Sequence, residues 1–313
     1  VKVATLELRP VPPFRLDLTA WALRRRAENR IDRWDGITYR RVLLLAGKPV
    51  EVAVRQGGHA ASPHLFVEAR GEKLPDRAEE AIAGSLELLL GTRADLQAFY
   101  AFAAREARLQ ALVRKFIGFK PPRFESLFEA LCNGIVCQQV TLSFGIQLLN
   151  RLAQGWGESF RSGSETAHAF PLPAELARAD ETSLRKLGLS YNKARALLEC
   201  ARKCAEEELD RRLLSGMDDQ AAIHTLDDLR GVGTWTAEYV LLRGLGRLHI
   251  FPSSDSGARN GLRRWLKLRS PPDPERARRL LARWRPFAGL IYFHLLLNKL
   301  DEEGYLAESG GAS

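Results

Sequence analysis

The sequence predicts a small α+β domain followed by a larger all-α domain. Alternating, strand-like runs occupy residues 1 to about 75, and helical periodicity takes over from about Arg77. The length of 313 residues, at roughly 150 residues per domain, suggests two domains. Hydrophobic residues make up 45% of the chain and charged residues 27%, which excludes disordered, collagen-like and low-complexity architectures. We place the division at 104/105, giving an α+β domain over 1–104 and a helical domain over 105–313.

Leu6 to Arg9 and Tyr39 to Leu45 read as strands, and Ala46-Gly47-Lys48-Pro49 is a turn leading into Val50 to Val54, which makes a hairpin. Asp17 is placed to cap a helix carrying Ala20 to Leu23 that runs into Arg24-Arg25-Arg26. A further strand is expected at Leu65 to Ala69. Beyond it, Phe124, Leu127, Phe128, Leu131 and Ile135 share one face of a helix ending near Gln138-Gln139, and another helix starts at about Ser143. Glu181 to Leu187 is a short helix stopped at Gly188, and Asn192 to Glu207 carries Ala194, Leu197, Leu198 and Ala201 on one side. No repeat with a period of about 20 to 50 residues is visible.

Lys plus Arg number 47 against 38 Asp plus Glu, a formal charge of +9, so the surface favours polyanions. No apolar run approaches the ~18 residues needed to span a bilayer. The best candidate, Phe287 to Leu297, carries His294. Val1 to Pro10 lacks the charged and apolar regions of a secretory signal, and a cytoplasmic or nucleoid-associated monomer without membrane contact is expected. Cys132, Cys137, Cys200 and Cys204 show no CxxC spacing and read as free thiols, with no metal site. HExxH, P-loop and GxGxxG motifs are absent.

The segment Thr225 to Gly261 is the most informative. Thr225 with Asp228 reads as an N-cap, Leu226 and Leu229 as a short amphipathic helix, and Gly231-Val232-Gly233 as a tight turn into a second helix from Thr234. The result is a helix-hairpin-helix over about 225–243. Backbone N–H groups of Gly231, Val232, Gly233 and Thr234 at a helix N-terminus suit a phosphate. A plain turn between packed helices is the alternative for so short a motif.

Leu229-x-Gly231-Val232-Gly233-x-Trp235-Thr236-Ala237-x-Tyr239, followed by Pro252 and Asp255, resembles the signature of the helix-hairpin-helix DNA base-excision glycosylase superfamily. Phe124 to Thr141, Leu184 to Ala194 and Trp284-Arg285-Pro286-Phe287 extend the resemblance, the last of them to the 3-methyladenine DNA glycosylase II branch. The resemblance implies a helical glycosylase domain of two subdomains with a cleft between them, double-stranded DNA as partner, and hydrolysis of the N-glycosidic bond of alkylated purines. Asp255 is then the catalytic anion beside an oxocarbenium-like sugar, although it also suits an N-cap. Trp235 and Tyr239, one helical turn apart, would form an aromatic pocket for a cationic base, or else sit as ordinary core aromatics.

Relatives that also cut the backbone carry a lysine where Trp235 stands, so a monofunctional enzyme leaving an abasic site is expected. No cofactor is required, and no four-cysteine cluster follows Asp255. The resemblance does imply a structural cation held by hairpin carbonyls around Leu229 to Val232. Gln139 is the candidate wedge that fills the gap left by the flipped nucleotide, with a solvated helix end as the alternative. Ten basic residues against two acids between Arg259 and Arg285 form a basic stripe. The rival functions are a glycosylase for oxidised or deaminated bases, and a catalytically silent DNA-binding protein that uses the hairpin alone.

Overall fold

The computed structural model describes residues 1–306. The N-terminal part comprises β1 (Lys2–Leu8), α1 (Leu16–Arg24), β2 (Arg33–Trp34), β3 (Thr38–Leu45), β4 (Lys48–Gly57), β5 (His64–Gly71) and α2 (Ala78–Leu90). The strands form an antiparallel sheet in the order β1-β5-β4-β3-β2. Alternation decides its faces: Val52 pairs with Ala69 and Val54 with Val67, all buried, under Ile82, Leu86 and Leu89 of α2. The hairpin turn falls at Ala46-Gly47, as the sequence predicts. Asp17, in contrast, does not cap α1. The N-cap is Arg15, and Asp17 sits in the first turn as its ion-pair partner, because the extended backbone ends two residues earlier than the polar pattern suggests.

The helical part continues with α3 (Gln97–Ala103), α4 (Ala107–Arg114), α5 (Leu127–Val136) and α6 (Leu142–Trp156). After the strands β6 (Ser159–Ser162) and β7 (Glu165–His168) come α7 (Pro173–Ala177), α8 (Glu181–Lys186), α9 (Tyr191–Ala205), α10 (Arg211–Ser215) and α11 (Asp219–Asp227). The chain closes with α12 (Thr234–Arg243), α13 (Ser256–Leu266), α14 (Pro274–Leu281), a 3₁₀ turn and α15 (Ala288–Glu302). The second part is helical as expected, with one addition that the sequence reading lacks, the short strands β6 and β7. They form a hairpin that packs Phe160, Ala167 and Ala169 against Val42 of the sheet. Four-residue strands are too short for alternation to declare itself.

Two cores result. One joins the sheet and α2 to α5, α6 and α7 through α12, and the other gathers α3, α4, α13, α14 and α15 with Leu18 and Trp21 of α1. Both draw residues from either side of 104/105. The cleft between them is the cleft that the glycosylase resemblance implies.

The sheet is tied to α5 by a buried charge cluster. Arg41 on β3, fully buried, donates from Nη1 to Asp32 Oδ1 at 2.8 Å and from Nη2 to Glu129 Oε2 on α5 at 2.6 Å. The Tyr39 hydroxyl also donates to Asp32, at 2.8 Å. Two buried carboxylates thus share one guanidinium, and burial pushes the Glu129 carboxyl up to about 7 in spite of Arg41. A carboxyl raised in the folded state holds its proton longer there than in the unfolded chain. Its contribution to stability is complete below the ordinary carboxylate range and is lost as pH rises through about 7. Glu129→Gln keeps the neutral form, so its Tm is expected to gain on that of the wild type between about pH 5 and about pH 8. Parallel Tm curves would contradict the cluster's protonation as described.

Candidate active site

The helix-hairpin-helix is present, with one correction to its start. The first helix, α11, begins at Asp219 and is capped by Asp218, whose side chain accepts the Ala221 N–H at 2.9 Å. Thr225 lies inside this helix and donates its hydroxyl to the Ala221 carbonyl. Aspartate upstream supplies a better-placed cap, so the helix starts nearly two turns earlier than the Thr225 signature implies.

At the turn, Gly231 has φ +72°, and a Cβ there would stand 2.9 Å from the Ala196 methyl. This glycine is required by both conformation and space. Gly233 is the N-cap of α12, extended and exposed, with Thr234 exposed beside it. Their N–H groups point out of the first helical turn, where they have no intrahelical acceptor. Val232 contributes differently, its side chain buried and its N–H donated to the Leu229 carbonyl at 3.1 Å.

From this turn, α12 runs along a cleft of about 940 Å³, and Trp235, Tyr239, Asp255 and Gln139 all line it. Trp235 and Tyr239 stack with ring centroids 5.6 Å apart and planes 27° from parallel. Asp255 caps α13, with Oδ1 accepting the Ala258 N–H at 2.7 Å, while Oδ2 accepts the Trp235 indole N–H at 3.2 Å. One carboxylate thus caps α13 through one oxygen and holds the Trp235 indole at the cleft through the other. Gln139 stands exposed at the cleft's lip with φ +53°, a left-handed backbone uncommon for a non-glycine residue.

Several residues of the site carry no sequence signal. Gln138 donates from Nε2 to the Gly231 carbonyl at 2.8 Å and to Thr236 Oγ1 at 2.6 Å, fastening the end of α5 to the hairpin. Gly134 lets α5 and α12 cross closely, since a Cβ there would come within 2.6 Å of Thr236 Cγ2. Glu238, buried on α12, accepts the Ser253 N–H at 3.0 Å and so holds the loop that carries Asp255; its outer partner is Arg278 of the basic stripe. Burial raises its carboxyl despite Arg278. Other members of the stripe are paired too, Arg279 with Glu275 and Arg264 with Glu302.

The middle residue of the Arg24-Arg25-Arg26 triplet reaches the same cleft. Arg25 ends α1 in a left-handed conformation (φ 62°), which turns its side chain inward. There it donates from Nη1 to the Tyr239 hydroxyl at 3.0 Å and from Nη2 to Asn133 Oδ1. Burial works against its charge, but Tyr239, Cys137, Tyr292 and Asp32 together hold the guanidinium above its usual range.

Residues 132–286 match the model of the HhH-GPD superfamily of base excision DNA repair proteins. The chain belongs to that superfamily. Several of its relatives are named 3-methyladenine DNA glycosylases, as the motifs lead one to expect, while one of Methanothermobacter thermautotrophicus, 26% identical over 78% of this chain and 80% of its own length, is named a probable N-glycosylase/DNA lyase. One of them, a DNA-3-methyladenine glycosylase of Bacillus subtilis, is 30% identical over 64% of this chain and 66% of its own length. Another, DNA-3-methyladenine glycosylase 2 of Escherichia coli, is 31% identical over 57% of this chain and 60% of its own. The matched region thus spans just under two thirds of these two relatives. The solved structure of a 3-methyladenine DNA-glycosylase from Archaeoglobus fulgidus superposes with a TM-score of 0.82 at 26% identity, covering 95% of this chain and 98% of that one. The match to a superfamily protein therefore includes the N-terminal sheet as well as the helical domain.

Within this superfamily fold the indole of Trp235 both stacks on Tyr239 and holds Asp255. Trp235→Phe keeps the ring and removes the N–H. Base release is expected to fall about tenfold to a hundredfold in kcat with KM little changed, since a hydrogen bond to a charged group contributes about 1.5–3 kcal/mol. Steady-state kinetics on methylated DNA would check this, and an unchanged kcat would show that the indole does not position the carboxylate.

Proposed function

We propose that this protein is a monofunctional DNA glycosylase that hydrolyses the N-glycosidic bond of alkylated purines flipped out of a duplex, leaving an abasic site. The observation that carries the reading is the carboxylate of Asp255, half-buried at the cleft and held by the Trp235 indole beside a stacked aromatic pair. A fixed anion there stabilises the sugar as positive charge develops on it. The stacked rings take a base made electron-poor by alkylation, which is also a good leaving group, so a strong general acid is dispensable. Trp235 occupies the position where a Schiff-base lysine would be needed, and the indole cannot act as that nucleophile.

DNA is held at the hairpin by the N–H groups of Gly233 and Thr234, and Gln139 enters the stack from which the nucleotide leaves. Among the described residues no helix is long and apolar enough to cross a membrane. A cation at the hairpin also belongs to this proposal. The carbonyls of Leu229 and Gly231 each accept one hydrogen bond, from Val232 N–H and Gln138 Nε2, so each keeps a lone pair for a cation. The test is incubation with methylated DNA, scoring free bases by chromatography, with borohydride trapping alongside. Free alkylpurine without a trapped protein–DNA adduct is expected. A trapped adduct would overturn the monofunctional assignment, and no released base would overturn the enzyme.

A further inference from the structure

The far end of the cleft holds a charge that the reaction does not use. Arg25 is 5% exposed, and both its hydrogen-bond partners, the Tyr239 phenol and the Asn133 amide, are neutral. The Cys137 thiol, a weak acceptor, lies beside the guanidinium, whose buried Nε–H makes no hydrogen bond among the described residues. A buried, charged donor left unsatisfied is costly unless something arrives to accept from it.

The order of groups along the cleft indicates what arrives. Asp255 lies at the Trp235 end, and Arg25 at the Tyr239 end, one helical turn deeper. With the deoxyribose against Asp255, a purine stacked along these rings turns the edge remote from its glycosidic bond toward Arg25. That edge carries a carbonyl at position 6 in guanine and hypoxanthine and an amino group in adenine. A guanidinium has donors only, so opposite position 6 it pairs with the carbonyl and opposes the amino group, leaving adenine the neighbouring N1 as its only acceptor on that edge.

We propose that Arg25 is a specificity-determining residue that reads the hydrogen-bond acceptor at position 6 of the flipped base, so that the pocket favours purines with a 6-carbonyl over those with a 6-amino group. This rests on the glycosylase reading above.

DNA treated with a methylating agent carries 7-methylguanine and 3-methyladenine together, and both are scored in one digest by wild type, Arg25→Met and Arg25→Lys. Each release rate is divided by the spontaneous rate for that base. In Arg25→Met the ratio of 7-methylguanine to 3-methyladenine release is expected to fall about tenfold or more, with Arg25→Lys, which keeps a single charged donor, between it and the wild type. A loss of folded protein lowers both bases equally and leaves the ratio untouched. Where Arg25→Met yields no folded protein, the fall in Arg25→Lys carries the test. A ratio within about twofold of the wild-type value in the variant tested would show that Arg25 only packs. Release of neither base by the wild type would instead remove the glycosylase reading, and this assignment with it.

Discussion

Asp255→Asn is expected to lower base release by about a thousandfold while leaving affinity for duplex DNA intact. The substitution keeps the shape of the side chain, and the amide oxygen still accepts the Ala258 N–H, so the cap of α13 survives. What disappears is the charge. A carboxylate about 4 Å from a unit positive charge contributes about 4 kcal/mol at an effective dielectric near 20, on the order of a thousandfold in rate. The Trp235 N–H loses its anionic acceptor as well. Single-turnover release from methylated DNA, beside a binding titration, separates the two consequences. A silent DNA-binding module would show no released base with either protein, and a fall below about tenfold would mean that the anion is not what the transition state uses.

Arg41→Met is expected to destabilise the fold by about 3–5 kcal/mol, as removal of one partner from a buried ion pair generally does. Asp32 and Glu129 would then face each other at 4% and 3% side-chain exposure without a counter-ion. Denaturant unfolding measures the loss. A second substitution makes the cause specific: Glu129→Gln removes one of the two buried carboxyls left without their guanidinium, so above about pH 7 the double variant should recover part of the loss. If the double variant is no more stable than Arg41→Met alone, the deficit arises from lost packing rather than charge. The cluster bears on function because α5 leads from Glu129 to Asn133, Gly134 and Gln138, which seat Arg25 and the hairpin.

The parts of the fold that were legible are those with local signals. Valine alternation on β4, the Ala46-Gly47 turn and the glycine at 231 each act within a few residues, and each is found where expected. Boundaries were less legible. Asp17 and Thr225 have the chemistry of caps, but Arg15 and Asp218 hold the N-cap positions, because where a helix starts depends on what its first turn packs against. The β6-β7 hairpin escaped notice for a related reason: its four-residue strands are stabilised by Val42 of a distant strand.

The residues of the chain, read in order, were enough for the superfamily and for bringing Asp255, Trp235 and Tyr239 to one cleft, because the hairpin, the Pro252 loop and the cap of α13 follow one another within about forty positions. Only folding brought Arg25 to Tyr239 across 214 positions and Glu238 beneath the Asp255 loop. The physical reason is that a buried guanidinium or carboxylate is tolerable only beside partners that desolvate with it. Those partners lie on other elements, so neither periodicity nor a motif marks the residue before the elements meet.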